Sequence, residues 1–254
     1  MLKRIVLTLI MLLFALHGIQ TLAATTPVAY YSFDELGDVI TDDSGNGRDG
    51  KPIGNLELSD DARLGKSFRF NGVDSYVELQ KADLDDFDDF SFTAWVKPDG
   101  PGHQDGEHAF NGSGIIWSDA SGPTNDFAAA LLGTKLAFHI GTPNTTITSE
   151  TDIVTGDWVH IAVTRNSVTG DAAIYVNGKM EASMQHPNKN PLQTMDVVVI
   201  GANVRDVRYY TGLIDEVKFY DAVLSEAEIQ QQIAYAVVAS DGLVTTWGEI
   251  KESD

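Results

Sequence analysis

The stretch that decides the fold is FSFTAWV, which runs from Phe90 to Val96. Its apolar residues recur at every second position, which is the period of a β-strand with one buried face. Similar short runs of β-branched and aromatic residues recur along the chain, among them VAYYSF (28–33), SFRF (67–70), WVHIAV (158–163), AAIYV (172–176) and LIDEVKFY (213–220). The chain is therefore expected to consist of many short strands.

Turn residues separate these runs and indicate how the strands connect. Asn-Gly pairs stand at 71–72 and 177–178, and other breaks are rich in Asp and Gly; such pairs favour the tight turns of antiparallel hairpins. We find no amphipathic helices between the strands, which excludes a parallel sheet with helical crossovers. The sequence predicts an all-β, two-sheet antiparallel sandwich in a single domain, residues 24–240.

One helix is predicted near the end of the domain. Ser225 is a good N-cap and Glu228 follows three residues later, which together form the pattern of a capping box. Leu224 before the cap and Ile229 after it can form a hydrophobic staple. We expect a short C-terminal helix that docks on the sandwich, followed by a mostly polar tail, residues 241–254.

The first 23 residues have the pattern of a secretory signal peptide. Lys3 and Arg4 precede an apolar run at 5–16, and the small residues around Ala23 suit cleavage at 23 or 24. The run is shorter than the roughly 20 residues that span a bilayer. We therefore expect no membrane span and an exported protein, either extracellular or periplasmic.

Composition excludes several classes of function. The chain of 254 residues carries 37 acidic and 17 basic side chains, a net charge of −20, and no cysteine. The absence of cysteine excludes disulfides, thiolate metal sites and cysteine nucleophiles. The negative charge argues against a nucleic-acid partner, which requires a basic face, but it is compatible with cation binding, above all calcium.

The densest polar cluster is the loop DDSGNGRDG at 42–50. It begins like an EF-hand calcium loop, but its twelfth position is Ile53 where that motif has a bidentate Glu. Two interpretations remain: a tight turn built by Asn and Gly, or part of a calcium shell whose carboxylates come from distant strands.

A second acidic pair interrupts the last apolar run. Strand alternation places Asp215 and Val217 on one face and Glu216 on the other, so one acid is expected to share a face with core residues. A half-buried carboxylate is costly unless it is paired or metal-bound. This predicts a ligand or a partner for Asp215.

Seven segments, in order, resemble a laminin-G-like domain of the concanavalin A-like lectin/glucanase superfamily. They are YYSFDE with DSGNGRDG (30–50), LGKSFRFNG (64–72), DSYV (74–77), FSFTAWVK (90–97), WVHIAVT (158–164), IYVNGK (174–179) and TGLIDEVKFY (211–220). The resemblance implies a jelly roll of two antiparallel sheets. It also implies a structural calcium ion near the paired first and last strands, with Asp34, Asn46 and Asp215 as ligands and Asp43 and Asp49 as neighbours.

Some members of this superfamily cleave glycans, and the retaining glucanases among them carry a Glu-x-Asp-x-Glu strand motif. The nearest match is Glu150-Thr-Asp152, which lacks the closing Glu. The acidic residues at 83–89 are interpreted as a solvated surface. The sequence therefore favours a non-catalytic protein over a glycoside hydrolase, which normally needs a carboxylate pair facing one cleft.

Glycan binding requires an aromatic ring that stacks on a sugar and planar polar groups that bind its hydroxyls. Trp117, Asn203, Arg205, Arg208 and Tyr209 offer these groups, and we expect them to line a concave ligand surface. The other interpretation is a loop whose aromatics cover a sheet edge. We expect a secreted carbohydrate- or glycoconjugate-binding domain, with an adhesion or spacer domain as the alternative and a hydrolase as the second; the oligomeric state stays open.

Overall fold

The computed structural model describes residues 25–79, 88–119, 126–191 and 197–240. The strands are β1 (Ala29–Tyr31), β2 (Gly50–Ile53), β3 (Glu57–Ser59), β4 (Ser67–Asn71), β5 (Tyr76–Leu79), β6 (Phe90–Pro98), β7 (Ser113–Asp119), β8 (Phe127–Leu132), β9 (Lys135–Ile140), β10 (Thr145–Asp152), β11 (Val159–Arg165), β12 (Asp171–Val176), β13 (Lys179–Gln185), β14 (Val197–Ile200), β15 (Ala202–Asn203), β16 (Arg208–Tyr209) and β17 (Thr211–Tyr220). A 3₁₀ turn (Ala109–Asn111) and one helix, α1 (Glu226–Ser240), complete the described elements.

The strands form two antiparallel sheets that pack face to face. The eight-stranded sheet has the order β13-β12-β11-β6-β17-β4-β3, with β1 also paired to β17, and the seven-stranded sheet has the order β10-β9-β8-β7-β14-β5-β2. Strands β15 and β16 form a separate hairpin. The predicted all-β sandwich with jelly-roll-like architecture and one short helix is confirmed.

The core lies between the sheets and takes alternate residues from each strand. Phe90, Phe92 and Val96 of β6 belong to it, and Phe90 meets Phe127 of the opposite sheet with ring centroids 4.7 Å apart. The alternate residues of β6 face the outer side of the sheet. Ser91 is buried on that side because the chain that leads into α1 covers it. The alternation seen in the sequence is thus the division between core and outer face.

The helix begins at its predicted cap. The backbone N–H of Glu228 donates to Ser225 Oγ at 3.3 Å, and the backbone N–H of Ser225 donates to the Glu228 carboxylate at 2.8 Å, so the capping box is formed. Leu224 and Ile229 are buried in one cluster on the sheet. The described helices include none long and apolar enough to cross a membrane. The predicted signal peptide and C-terminal tail lie outside the described residues.

A β-bulge in β17 changes the predicted placement of the acidic pair. Between Asp215 and Lys218 the register with β6 shifts by one residue, and Glu216 has a φ of 53°. Val217 stays in the core, whereas Glu216 contacts Lys218 on the outer side. The expectation that Asp215 and Glu216 occupy opposite faces is wrong, because simple alternation does not anticipate an extra residue in the strand.

Candidate functional site

Two distant segments cover part of the outer face of the seven-stranded sheet. The 3₁₀ turn contributes Phe110 and the β15–β16 hairpin contributes Val204, and both pack on a buried cluster that includes Trp117. Trp117 is only 5% exposed. The predicted direct contact between Trp117 and a ligand therefore does not fit the structure, since the hairpin and the turn lie over the indole. Its role here is to support the surface above it.

Asn203 also supports the surface and does not line it. It is fully buried, its Nδ2 donates to the Phe110 carbonyl at 3.1 Å and to Asp206 at 3.0 Å, and its Oδ1 accepts the Asp206 N–H. These bonds close the hairpin and attach it to the 3₁₀ turn. The prediction that Asn203 contacts a ligand is corrected accordingly: its hydrogen-bonding groups bind the protein's own backbone and Asp206.

Arg208 is held rigidly at the edge of this surface. Its guanidinium donates to the Phe110 carbonyl at 2.9 Å and forms ion pairs with Asp105 at 2.8 Å and Asp206 at 2.7 Å. The side chain keeps 15% of its area exposed. Two carboxylates and one carbonyl therefore fix the plane of the guanidinium, and its exposed part can still meet a ligand.

Tyr209 and Arg205 lie where the sequence predicted accessible groups. Tyr209 is half-buried beside Tyr76 of β5, with ring centroids 6.4 Å apart, and Arg205 is exposed in the hairpin loop. We call the surface made by Tyr76, Phe110, Arg205, Arg208 and Tyr209 the hairpin face. Of the five predicted ligand residues, the structure places three on this face and two beneath it.

Sequence reasoning missed the histidines that anchor the 3₁₀ turn. His108 stacks on Phe110 at 4.8 Å and meets His139 of β9 edge-on at 5.8 Å. Both imidazoles lie within hydrogen-bond distance of Thr146 Oγ1, at 3.2 and 3.1 Å. Burial, with a smaller contribution from His108, lowers the pKa of His139 to about 4. His139 is therefore neutral at pH 7 and acts as a packing group for the turn.

The acidic loop at 42–49 is organised by Asp42, a residue that the predicted metal ligands did not include. Its carboxylate accepts the backbone N–H groups of Tyr30, Ser44 and Arg48 at 2.9 to 3.0 Å. Asp49 accepts the Asp42 N–H at 2.9 Å. The loop is thus an internally hydrogen-bonded turn that closes on the first strand.

Two predicted metal ligands of this loop also bind the residues on either side of the first strand. Asp43 Oδ2 accepts the Ser32 N–H at 3.1 Å. Asn46 Nδ2 donates to the Val28 carbonyl at 3.1 Å. Asp43 and Asn46 therefore both help to hold the loop in place, whether or not a cation is bound.

The two ends of the domain lie side by side, as the metal prediction requires. Strand β1 pairs with β17, and both Asp34 and Asp215 hold the loop at 63–66. Asp34 accepts the Lys66 N–H at 2.7 Å. The Asp34 carboxylate also lies so close to Gly65 that a Cβ at that position would clash with it. Asp215 Oδ2 accepts the N–H groups of Arg63 and Leu64 at 2.7 and 3.0 Å.

Asp215 keeps one oxygen without a hydrogen-bond partner. The residue is fully buried, and its Oδ1 is unpaired within the described part of the chain. Burial raises its pKa to about 7, although the N–H groups of Leu64 and Arg63 oppose the shift. An unpaired buried oxygen is costly, and a cation or a water is the kind of group that would satisfy it.

The predicted ligands suit calcium only in part. Asp34, Glu35 and Asp43 line one cavity of about 420 Å³, whereas Asn46, Asp49 and Asp215 are not among its lining residues. Over the described residues, no three Asp, Glu or His side chains come close enough to hold a metal ion. Calcium at this cavity would therefore need backbone carbonyls and water beside Asp34 and Asp43.

Comparison with solved structures identifies similar sandwiches. Domain 4 of AbnA, an extracellular GH43 arabinanase from Geobacillus stearothermophilus solved with arabinotriose, matches with a TM-score of 0.66 and 23% identity over 82% of this chain and 98% of that one. Botulinum neurotoxin type C, whose cell entry depends on two ganglioside molecules, matches with a TM-score of 0.64 and 14% identity over 83% of this chain and 51% of that one.

A third match is the binding domain of Paraclostridial Mosquitocidal Protein 1, with a TM-score of 0.62 and 18% identity over 83% of this chain and 52% of that one. The chain thus spans about half of the two toxin structures. No curated protein matches it.

The family model of the laminin-G-like type, described as concanavalin A-like lectin/glucanases superfamily, matches residues 71–230. The chain belongs to this laminin-G-like family of the concanavalin A-like lectin/glucanase superfamily.

Proposed function

We propose that this chain is a non-catalytic carbohydrate-binding domain whose ligand binds on the hairpin face. The observation that carries the proposal is the half-buried pair of Tyr76 and Tyr209, together with the fixed guanidinium of Arg208, the residue before Tyr209 in β16. A sugar ring has an apolar C–H face and a rim of hydroxyls. Tyrosine offers a large rigid surface to the C–H face at a small entropic cost. A pre-oriented guanidinium offers hydrogen-bond donors to the hydroxyls.

The pre-organisation of this face strengthens the argument. Asn203 and Trp117 lie beneath it and fix the hairpin from below. Arg208 is positioned by protein groups, so little side-chain entropy would be lost when a ligand binds. The solved relatives add support of the same kind, since one was solved with a bound oligosaccharide and another depends on gangliosides for cell entry.

Two acidic pairs bear on the choice between binding and hydrolysis. Asp215 and Glu216 are both buried, and Glu216 already accepts bonds from Tyr30 and Lys218 at 2.6 Å. Glu150 and Asp152 are exposed on β10, where Asp152 pairs with Lys135 at 2.8 Å. In the part of the chain that the structure describes, neither pair flanks a cleft in which a glycosidic bond could lie between the two carboxyl groups.

Affinity electrophoresis in gels that contain single polysaccharides tests this function. We expect at least one polysaccharide to retard the protein, with no reducing ends released from any of them. Retardation together with steady release of reducing sugar would make the chain a hydrolase. Unretarded migration in every gel would favour the adhesion or spacer alternative.

The protein is further proposed to be exported, on the basis of the basic and apolar pattern of its first 23 residues. Export would place the domain where polysaccharides and glycoconjugates are found. An exported chain without cysteine must be stabilised by its core, because disulfides are not available to it.

The same proposal includes calcium at the cavity lined by Asp34 and Asp43. Asp34 and Asp43 line this cavity together with Glu35. A hard cation bound there would link the segment after the first strand to the acidic loop. Calcium at 100 times its Kd would stabilise the fold by about 2.7 kcal/mol. For a domain of this size that corresponds to a rise in melting temperature of roughly 5–10 °C.

Melting curves with calcium and with EDTA measure this effect. The double variant Asp34→Asn, Asp43→Asn should lose the calcium-dependent rise, because it keeps oxygen acceptors for the backbone but removes two charges. Asp38→Asn is the matched control, since Asp38 is exposed in the same segment and does not line the cavity. Identical melting temperatures with calcium and with EDTA would exclude the ion.

A further inference from the structure

A second cavity, of about 240 Å³, lies on the other sheet from the hairpin face. It is lined by the start of the described chain, by β17 and by α1 and is open to solvent on one side, and we call it the helix cavity. Its lining includes Thr25, Lys218, Tyr220, Gln231, Gln232 and Tyr235. Two parts of the chain that are far apart in sequence, the start of the described chain and the β17–α1 segment, thus line one open pocket, which has room for a ligand of about one ring.

An exposed aromatic side chain lies at the edge of the helix cavity. Tyr235 is 59% exposed, and it is the only Phe, Tyr or Trp in the described part of the chain that the solvent reaches to this extent. Tyr220 at the base of the cavity is buried. The cavity therefore combines an apolar base with an accessible aromatic ring, which together suit the C–H face of a sugar.

The charged groups of the helix cavity already have partners within the protein. Lys218 Nζ lies 2.6 Å from the Glu216 carboxylate and 4.5 Å from the centre of the Tyr30 ring. Glu228, which also lines the cavity, accepts hydrogen bonds from Ser225 and from the Thr25 hydroxyl. An ionic ligand would have to compete with these contacts, so the cavity favours a neutral one.

Amide groups remain as the partners that a ligand can use. Gln232 Oε1 accepts the Thr93 hydroxyl at 3.0 Å, which orients the amide and leaves its NH₂ group as a donor. Gln231 is exposed on the adjacent position of α1 and lines the same cavity. An amide group both donates and accepts hydrogen bonds, so these side chains can pair with sugar hydroxyl groups.

We propose that the helix cavity is a second ligand site, which takes a single neutral sugar residue or the terminal residue of a glycan. The site depends on Tyr235 for stacking and on Gln231 and Gln232 for hydroxyl contacts. It lies on the opposite sheet from the hairpin face and stands whether or not that face binds a ligand. With both sites occupied, one domain would link two glycan ends, which raises avidity without a new contact at either site.

NMR titration of the ¹⁵N-labelled protein with the methyl glycosides of glucose, galactose and mannose and with N-acetylglucosamine tests the proposal. At least one of these sugars should shift the amide resonances of α1 and β17. Tyr235→Ala should weaken that binding at least tenfold, and Gln231→Ala should weaken it by a smaller factor. Both residues are exposed on the helix, so the fold should tolerate both changes.

Two controls separate this site from the hairpin face. Val168→Ala changes an exposed residue that does not line the helix cavity, and Tyr209→Ala changes the hairpin face; neither should alter the shifts in α1. The proposal is overturned if none of the four sugars moves the α1 resonances, or if Tyr235→Ala binds as the unaltered protein does. Loss of the α1 shifts in Tyr209→Ala would also overturn it, by assigning them to the hairpin face.

Discussion

Replacing Asp215 by alanine is expected to lower the free energy of unfolding by about 3 kcal/mol. The carboxylate is fully buried and accepts the backbone N–H groups of Arg63 and Leu64. Without it, two partly buried donors lose their acceptor, and each such loss costs about 1–3 kcal/mol where water does not replace the bond. The gain from no longer burying a carboxyl group offsets part of this cost.

Urea unfolding of matched variants measures this effect. Asp215→Asn keeps an oxygen acceptor and should cost about 1 kcal/mol or less. Asp34→Ala removes a similar bond, to the Lys66 N–H, but at an exposed position where water can replace it, so in EDTA, where calcium makes no contribution, its cost should also stay below about 1 kcal/mol. An unfolding midpoint for Asp215→Ala equal to that of Asp34→Ala would mean that Asp215 does not hold the loop at 63–66.

The second large effect is expected on ligand affinity. Tyr209→Ala should weaken glycan binding by about 2 kcal/mol, or roughly 30-fold in Kd, because it removes half of the tyrosine pair on the hairpin face. Arg208→Ala should weaken it by a similar amount through the loss of an oriented donor. Titration calorimetry with the best glycan ligand measures both changes.

Controls for these variants come from the same molecule. Val168→Ala alters an exposed residue that is not part of the hairpin face, and it should leave the Kd unchanged. Melting curves should place Tyr209→Ala within a few degrees of the unaltered protein, since Tyr209 is only half-buried. Unchanged affinity in both Tyr209→Ala and Arg208→Ala would remove the hairpin face from the proposed function.

The sequence predicted the features that local chemistry controls. The alternation in FSFTAWV divides core from outer face as expected, and the capping box at Ser225 and Glu228 is formed. Both depend on residues close in sequence, where periodicity and side-chain length are enough. The pairing of the first and last strands followed from the family resemblance rather than from any local pattern.

What the sequence did not reveal depends on contacts between distant segments. Trp117 resembled an exposed platform, but the 3₁₀ turn and the β15–β16 hairpin cover it. Asn203 resembled a ligand contact, but the carbonyl it binds belongs to Phe110, far away in the sequence. A polar residue in a loop has the same pattern whether it binds a ligand or the protein's own backbone, so only the three-dimensional arrangement separates the two roles.

The bulge in β17 was hidden for a different reason. Nothing in LIDEVKFY marks Glu216 as the residue with positive φ, since glycine or asparagine is the usual signal of that conformation. The protein stabilises it by one tertiary and one local contact, as Glu216 bonds to Tyr30 of β1 and to the nearby Lys218. These bonds link β1 to β17 beside Asp215, which brings the two adjacent acids to the same side of the sheet.

A glycan array probed with the folded protein in the presence of calcium is the most direct test of the central claim, which is that the hairpin face binds carbohydrate. The unaltered protein should bind a defined subset of glycans, and Tyr209→Ala should lose most of that signal while Val168→Ala keeps it. An array on which the unaltered protein binds no glycan, or on which Tyr209→Ala binds the same glycans equally well, would contradict the claim.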